Sequence, residues 1–289
     1  GATNYLVSNE TDAEVDDSTF VASLDSDGFT VGDDVVVNTS TENYASWNWK
    51  AGGATTVTNT DGDEESEVSV DNTAGISILT YSGTLTSSGS RTVGHGLSVA
   101  PELIISKSTN TVASWAVQVP NELTSASYIL RLNTTAAESN KSGNGTLSAP
   151  TASVFYTNWT DGLNASGRDY IAYCFHSVEG YSKVGSYEGN GDVDGPFVYT
   201  SMKPSYLLLK RSSGADPWYI FDNERNTYNP EQKRLETNLN AAENDSTYYI
   251  DFVSNGFKFR NANGGDNQDG ETFIYIAFAE SPFKYSNAR

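Results

Sequence analysis

The sequence predicts an all-β protein made of tandem β-sandwich-like repeat domains. Its composition is the first reason: Thr, Ser, Asn and Gly are abundant, and aromatic residues make up 12% of the chain. This mixture favours strands joined by turns over helices. The second reason is a recurring segment that begins with Asn and ends with Glu, at residues 9–14, 133–138 and 238–243. Recurrence at a spacing longer than a supersecondary unit indicates tandem domains.

The second and third copies share a register that several landmarks fix. Pro101 to Trp115 and Pro204 to Trp218 are both separations of 14 residues, and a lysine follows each proline by 6 residues. The apolar runs that these landmarks enclose are predicted strands. The alignment therefore defines units, which we delimit as follows. Residues 1–53 are the second half of a truncated first repeat, 54–74 an acidic linker, 75–180 the second repeat and 181–289 the third repeat.

The first unit matches only the later half of the other two units. We therefore expect its missing half to lie upstream of Gly1 and a neighbouring chain to cover the face left open. The only methionine is Met202, so Gly1 is not a translation start, and we expect a cleaved chain or a piece of a longer polypeptide. The two complete sandwiches are expected to follow each other like beads along an axis.

Within the first unit, alternating or apolar runs predict strands at residues 20–24, 29–31, 35–37 and 44–49. The Ala-Ala-Glu positions of the other two units, where strand formers vanish, predict short helical turns. Each unit closes on a strand with aromatic residues near both ends, at residues 44–49, 170–175 and 273–278. Alternate residues of a strand share a face, so we expect these aromatic pairs in cores, with a sugar-stacking platform as the alternative.

The net charge of the chain excludes some classes of binding partner. A formal charge of −20 and a pI near 4.3 repel phosphate backbones and anionic headgroups, so we expect no nucleic-acid partner. No apolar run is long enough to span a bilayer, and we expect no membrane insertion. The single Cys174 forms no intrachain disulfide, and stability must come from cores or from assembly.

Few residues in the sequence suggest catalysis or metal binding. Cys174 and His176 would share a strand face, but no third group orients the histidine, so a buried core cysteine is the preferred interpretation. Acidic turns at residues 25–28, 192–195 and 266–270 are interpreted as hairpin turns, with calcium ligation as the alternative. Glu14, Glu138 and Glu243 recur at one repeat position, which favours a capping or turn bond over catalysis. We expect no catalytic residues, no metal and no cofactor.

Several stretches also carry a resemblance. They are similar to the tandem repeats that end large virion-associated, tail-fibre-like proteins of marine bacteriophages, which implies a structural or adhesive role and brings no catalytic motif. The likeness covers essentially the whole chain and implies that Arg289 lies at or near the natural C-terminus. The stretches are residues 45–53, 170–187, 194–199, 252–257 and 274–283.

Together these observations predict a non-enzymatic virion structural protein, a tail fibre or host-adhesion appendage at the extracellular virion surface. The alternatives are a capsid decoration or filament-forming subunit with an assembly role, and, third, a glycan-degrading enzyme. Expected partners are further copies of the chain, other virion proteins, and a host surface glycan or protein. Exposed turns of the last unit are the candidate receptor contacts, namely Tyr219, Tyr228, Tyr248 and Asn263, whereas Trp218 aligns with Trp115 and is expected in the core.

Overall fold

The computed structural model describes residues 2–53, 55–160, 162–245 and 247–281. These ranges contain 22 strands and two four-residue helices, which confirms the all-β prediction.

The first unit holds β1 (Asn4–Tyr5), β2 (Val15–Asp16), β3 (Val21–Leu24), β4 (Phe29–Val31) and helix α1 (Val35–Asn38). Next come β5 (Val57–Asn59), β6 (Ser66–Asp71), β7 (Ile76–Ser82), β8 (Ser90–Gly94), β9 (Leu103–Ser108), β10 (Ala116–Gln118), β11 (Tyr128–Arg131), β12 (Ser139–Asn140), a 3-10 turn (Ser142–Asn144), β13 (Val154–Asn158) and β14 (Asp169–Phe175). The third unit holds β15 (Ser182–Glu188), β16 (Phe197–Tyr199), β17 (Pro204–Arg211), β18 (Tyr219–Asp222), β19 (Leu235–Glu236), β20 (Ile250–Val253), β21 (Gly256–Phe259), helix α2 (Gly264–Asn267) and β22 (Thr272–Ala279).

Two large antiparallel sheets organise the second and third units. The second unit has the strand order β12-β11-β10-β9-β14-β7-β6-β5, and the third has β15-β22-β17-β18-β19. The closing strand of each unit is internal, because β14 lies between β9 and β7 and β22 lies between β15 and β17. Smaller sheets, β13-β8 and β16-β21-β20, complete the two units.

Both faces of each large sheet are apolar. On β17, Tyr206 and Leu208 point to one side, whereas Leu207 and Leu209 point to the other. Successive side chains of a strand alternate between faces, so each sheet needs a cover on both sides. The small sheets cover the outer faces: Val93 and Phe155 of β8 and β13 join the second-unit core, and Phe252 and Phe257 of β20 and β21 join the third-unit core.

The inner faces of the two large sheets meet in one central core. It contains residues of all three units, because Trp47 and Trp49 of the first unit pack at its border. Equivalent closing-strand residues therefore converge on one place: Trp47 and Trp49, Tyr173 and Phe175, and Ile276 and Phe278. This confirms the predicted core role of the aromatic pairs. It also corrects the expected bead-like arrangement, since the units share their largest core instead of standing apart.

Repeated hydrogen bonds connect each unit to the next. The Trp115 indole Nε1 donates to the Val7 carbonyl at 3.1 Å, and Trp218 Nε1 donates to the Arg131 carbonyl at 2.9 Å. The backbone N–H groups of Glu14 and Glu138 donate to Thr109 and Ser212 at 2.7 and 2.8 Å. The two junctions, first to second and second to third, therefore use equivalent atoms. The Ser8 hydroxyl donates to the Thr237 carbonyl at 2.7 Å, so the first unit also contacts the third.

The predicted linker at residues 54–74 is corrected by the structure. Its residues include β5 and β6, and β6 pairs with β7 from Ser66 to Asp71 within the eight-stranded sheet. Acidic side chains misled the prediction, because Val68 is buried while the neighbouring glutamates lie on the other face or are bonded, as Glu67 is to Thr58 at 2.6 Å. In this segment the alternation of apolar and polar residues is the better guide, because it predicts a strand where the polar composition predicts a linker.

The structure differs from expectation at three further places, two of them in the first unit. Residues 44–49 are not a strand, although Trp47 and Trp49 still pack inward. Residues 35–37 belong to the helical turn α1, which Asp34 caps by accepting from the Val36 N–H at 2.7 Å. The Ala-Ala-Glu segments at residues 136–138 and 241–243 form no helical turn, and in the second unit the Glu138 N–H donates to the Ser212 carbonyl.

The recurring asparagine has a defined role that predicts a stability effect. Asn133 Oδ1 accepts from the Trp115 N–H at 3.1 Å, and Asn238 Oδ1 accepts from the buried Trp218 N–H at 2.8 Å. Asn238→Ala leaves that N–H without an acceptor and is expected to cost about 1–3 kcal/mol of unfolding free energy in urea denaturation. The matched control is Asn9→Ala, whose side chain bonds only Glu10 at 3.4 Å and should change stability little. Equal losses from both variants would contradict the assigned role.

Candidate functional site

The predicted receptor contacts occupy two kinds of environment. Tyr228 is 84% exposed, Tyr248 and Asn263 are half-buried, and Tyr219 is only 2% exposed. The expectation that Tyr219 is exposed is wrong, because it faces inward from β18 into the third-unit core. Trp218 is also buried, as predicted. Of the four candidates, Tyr228 alone presents most of its ring to solvent.

Two of those candidates, Tyr219 and Tyr248, pack against one cation. The Arg234 guanidinium stands 3.7 Å from the centre of the Tyr248 ring and 4.8 Å from that of Tyr219. A β-carbon on Gly265 would lie 2.6 Å from both tyrosine hydroxyls, so the helix start must carry glycine there. Asn263, which precedes that helix, donates to the Thr247 carbonyl. This cluster is an internal cation–π contact that holds α2 against the sheet.

A better candidate for contact with a partner is a groove along β15 and β16. Phe197 and Tyr199 stand on the outer side of β16 with 47% and 62% of their surface exposed, while Val198 between them is buried in the third-unit core. Alternate residues of a strand share a face, so the two aromatic rings are neighbours. The groove has a volume of ≈ 410 Å³. The buried side of β16 fixes the exposed pair in place.

Polar groups from two units line the same groove. Glu102 and Glu122 come from the second unit, and Lys183 and Ser186 come from the third unit. Ser186 Oγ donates to Glu122 Oε2 at 2.5 Å, which connects the two walls. Burial, together with the charges of Glu122 and Glu102, raises the pKa of the Tyr275 hydroxyl, which therefore stays protonated. The groove exists because the two units pack together.

Gly185 keeps the floor of this groove open. A β-carbon at this position would lie 2.9 Å from the Tyr275 hydroxyl oxygen, closer than packed atoms stand. The arrangement offers two ring faces, carboxylate acceptors and an ammonium donor, which are the groups that bind a sugar ring or a peptide segment. The sequence prediction overlooked it, although the alternation Phe-Val-Tyr after Pro196 was the available signal.

A second groove, of ≈ 500 Å³, is acidic. Glu64, Glu65, Glu67 and Asp169 contribute to its lining. Glu64 is buried and already bonded: Oε1 accepts from Asn164 Nδ2 at 3.2 Å and from the Thr84 hydroxyl, and lies 3.8 Å from Arg91 Nε. These contacts tie β8 and the loop before β14 to the start of β6. Glu64 therefore has a structural role.

The cysteine and histidine that drew attention in the sequence are structural. Cys174 is fully buried in the second-unit core, and burial raises the pKa of its thiol, which confirms the preferred interpretation. The His176 ring is also buried, with Nδ1 2.9 Å from the Ser177 carbonyl. The recurring glutamates bond too: Glu138 accepts from the Thr124 N–H at 3.0 Å, and Glu243 pairs with Arg225 at 2.8 Å.

The acidic turns form local bonds. At residues 25–28, Asp25 accepts from Ser23 and Thr30, both at 2.9 Å, and the turn closes the β3–β4 hairpin. Asp194 pairs with Lys258 at 2.9 Å, and the hydrogen bond and charge of that lysine lower the pKa of the carboxyl. Within the described ranges, no group of three His, Cys, Asp or Glu residues is placed to hold a metal ion. The same ranges contain no helix long and apolar enough to cross a bilayer.

One buried carboxyl lies in the acidic segment at residues 266–270. Asp266 has no exposed surface, its Oδ2 accepts from Asn261 Nδ2 at 3.2 Å, and its Oδ1 has no hydrogen-bond partner. Burial raises the pKa of this carboxyl to about 8. Neighbouring amides complete the network, because Asn267 Nδ2 donates to Asn190 Oδ1 at 3.1 Å and to the Asn261 carbonyl at 2.7 Å.

Comparison with known proteins gives one match. A family model described as "Domain of unknown function (DUF7483)" matches residues 1–282. No curated protein and no solved structure matches the chain.

The buried Asp266 predicts a pH dependence. Its pKa is about 8 in the folded protein against a usual 3.8, so the folded state binds one more proton between those values and stability falls as pH rises through that window. Asp266→Asn removes the ionisation and should flatten the fall by up to about 1.4 kcal/mol per pH unit in chemical denaturation. Asp269→Asn changes an exposed carboxyl of the same loop and is the control. An unchanged slope in Asp266→Asn would contradict the prediction.

Proposed function

The chain belongs to the DUF7483 family, and we propose that it is a non-enzymatic structural module of a bacteriophage virion, a tail fibre or other host-adhesion appendage. The proposal places it at the extracellular virion surface and gives it a host glycan or protein as ligand. The resemblance of its repeats to those of tail-fibre-like proteins supports the class of function. The groove beside Phe197 and Tyr199 supplies a surface for adhesion.

The way the units are joined supports a role in which the protein transmits force. Each junction combines a buried tryptophan whose indole donates to the preceding unit with a backbone bond from the recurring glutamate. The central core closes over both junctions, so separating two units would expose Trp218, Leu208 and Ile276 to water. Apolar burial of this kind contributes about 25 cal/mol per Å². A module that cannot open between its repeats suits an appendage that must transmit force.

The observation that carries the adhesive part is the exposed pair Phe197 and Tyr199. Large aromatic residues whose rings are exposed side by side, on a strand anchored from behind, are typical of binding surfaces. The acidic groups Glu102 and Glu122 stand next to them, and the whole chain has a charge of −20. These charges disfavour phosphate-rich ligands. A neutral or amine-bearing host glycan, or a host protein, is therefore the proposed ligand class.

The test uses purified chain on a glycan array and on whole host cells. Phe197→Ala combined with Tyr199→Ala should lower binding by about tenfold or more, because two aromatic contacts are lost. Thermal stability should fall little, since 47% of Phe197 and 62% of Tyr199 are exposed. Val193→Ala, at a position that is 68% exposed on the preceding loop, is the matched control and should bind normally. Tyr228→Ala tests in parallel the predicted contact that is 84% exposed.

Three outcomes would overturn the proposal. Binding unaffected by the double variant removes the groove as the adhesive surface. Absence of all binding, with a regular lattice or filament contact seen by electron microscopy, favours a decoration or filament-forming subunit. Release of reducing ends from host polysaccharide favours a glycan-degrading enzyme, and the acidic groove around Glu65 and Asp169 would then be the place to search for its carboxylates.

A further inference from the structure

The first strand pairing of the first unit recurs at equivalent positions in the other two units. Asn4 pairs with Asp16 and Tyr5 with Val15, as Tyr128 pairs with Asn140 and Ile129 with Ser139 one repeat later. The third unit has the corresponding bridge between Arg234 and Asn244. The first unit is therefore folded in the geometry of a complete repeat.

The helical turn of the first unit also matches its counterpart in the third unit. Asn38 at the end of α1 donates to the Gly32 carbonyl at 2.8 Å, and Asn267 at the end of α2 donates to the Asn261 carbonyl at 2.7 Å. In both units the turn follows a hairpin, β3–β4 in one and β20–β21 in the other. Two separate parts of the first unit thus match their counterparts in position and in bonding.

The closing segment of the first unit has no sheet around it. In the second unit the closing strand β14 is bonded to β7 on one side and to β9 on the other, and in the third unit β22 is bonded to β15 and β17. Residues 44–49 have neither neighbour in the described structure, and Tyr44 is 53% exposed. Two strands that other units possess are therefore missing beside this segment.

The outer side of the first unit is apolar and open. In the third unit the hairpin β20–β21 buries Phe252 and Phe257 against the large sheet. In the first unit the corresponding hairpin leaves Leu24 73% exposed and Phe29 38% exposed, and Val35 of α1 is 73% exposed. Leu24 lies opposite Phe29 in the hairpin, so these two exposed side chains are neighbours, and neighbouring exposed apolar side chains indicate a contact surface.

The edge where the first and third units meet is open as well. The segment Ala241 to Glu243 is equivalent to residues 136–138 of the second unit, where the Glu138 N–H bonds the following unit. In the third unit this segment is exposed. Together with Tyr44 and Arg225 it lines a groove of ≈ 530 Å³. At both established junctions, the half of a unit that contains the tryptophan packs against the later half of the unit before it. In the same arrangement, the tryptophan-bearing half of a first unit would lie in this groove, against the third unit. The repeating interface therefore continues up to this point and then lacks its next member.

We propose that this open flank, formed by residues 20–37, residues 44–49 and the groove beside Ala241 to Glu243, binds a half-repeat of the same family. The half-repeat is equivalent to residues 75–127: strands like β7, β9 and β10, with a proline, an apolar run, a lysine and a tryptophan. Its indole donates to the Glu236 carbonyl, as Trp115 donates to Val7 and Trp218 to Arg131. Once it is bound, three complete repeats surround the central core in a closed ring.

The geometry also assigns the direction from which this segment arrives. β10 runs antiparallel beside β11, with Ala116 opposite Arg131, and β18 runs likewise beside β19, with Tyr219 opposite Glu236. A strand placed in this way beside β1 ends near Asn4. The half-repeat is therefore joined to the amino side of β1 in the same polypeptide, and a second copy of the chain is the competing occupant that the experiment excludes.

The test is a fusion in which a copy of residues 75–127 is joined directly to Asn4, the position equivalent to Tyr128. We expect a monomer by light scattering, and backbone amides of residues 44–49 that exchange with solvent at least about tenfold more slowly than in the starting chain. A fusion whose added tryptophan is changed to Phe keeps an aromatic ring but loses the indole N–H. Its melting temperature should rise above that of the starting chain by less than that of the unchanged fusion does.

Ser46→Asp supplies a control that does not depend on the exchange rates. Ser46 is exposed, but the equivalent positions of the two complete units, Ala172 and Tyr275, are buried. In the starting chain Ser46 should tolerate Asp, whereas in the fusion the charge would be buried and the melting temperature should fall by several degrees. Equal effects in both proteins would overturn the proposal. So would unchanged exchange at residues 44–49 in the fusion, or a starting chain that already dimerises with those residues protected, which would identify a second copy as the occupant.

Discussion

Every large sheet of this protein is apolar on both faces, and that constraint determines the rest of the structure. A small sheet covers the outer face of each repeat, but the inner face has no partner within its own repeat. In the described part of the chain it packs against the inner face of the neighbouring repeat. The central core follows from this, and so does the absence of a boundary between the second and third units at which the chain could bend.

Much of the fold could be predicted from the sequence because repetition supplies a register. The separation from Pro101 to Trp115 recurs from Pro204 to Trp218, and it placed β9 and β17 on equivalent strands. What the pattern could not show was which face of those strands meets which partner. Leu207 and Leu208 look alike in sequence, yet they enter different cores. The arrangement of the units was missed for that reason.

The candidate site was less predictable than the fold, since exposure depends on what packs behind a residue. The sequence predicts an exposed turn at Tyr219, which is buried, and does not single out Phe197 and Tyr199, which are exposed. On β16 burial alternates along the strand, whereas on β18, within a sheet that is covered on both faces, every residue is buried. Which of the two cases applies is known only once the strand pairing is known. Residues 44–49 show the reverse case, in which the sequence favours a strand and the missing neighbours prevent a ladder from forming.

The two junctions share equivalent hydrogen bonds, whereas equivalent core side chains of the three units have diverged. Trp47, Tyr173 and Ile276 occupy one repeat position around the core, yet they share neither size nor polarity. Three identical chains around a common centre would be forced to change all three positions at once with every mutation. Because the repeats here are carried by a single polypeptide, each one can evolve separately, and a surface such as the Phe197 groove arises once, on one side, without being copied to the others.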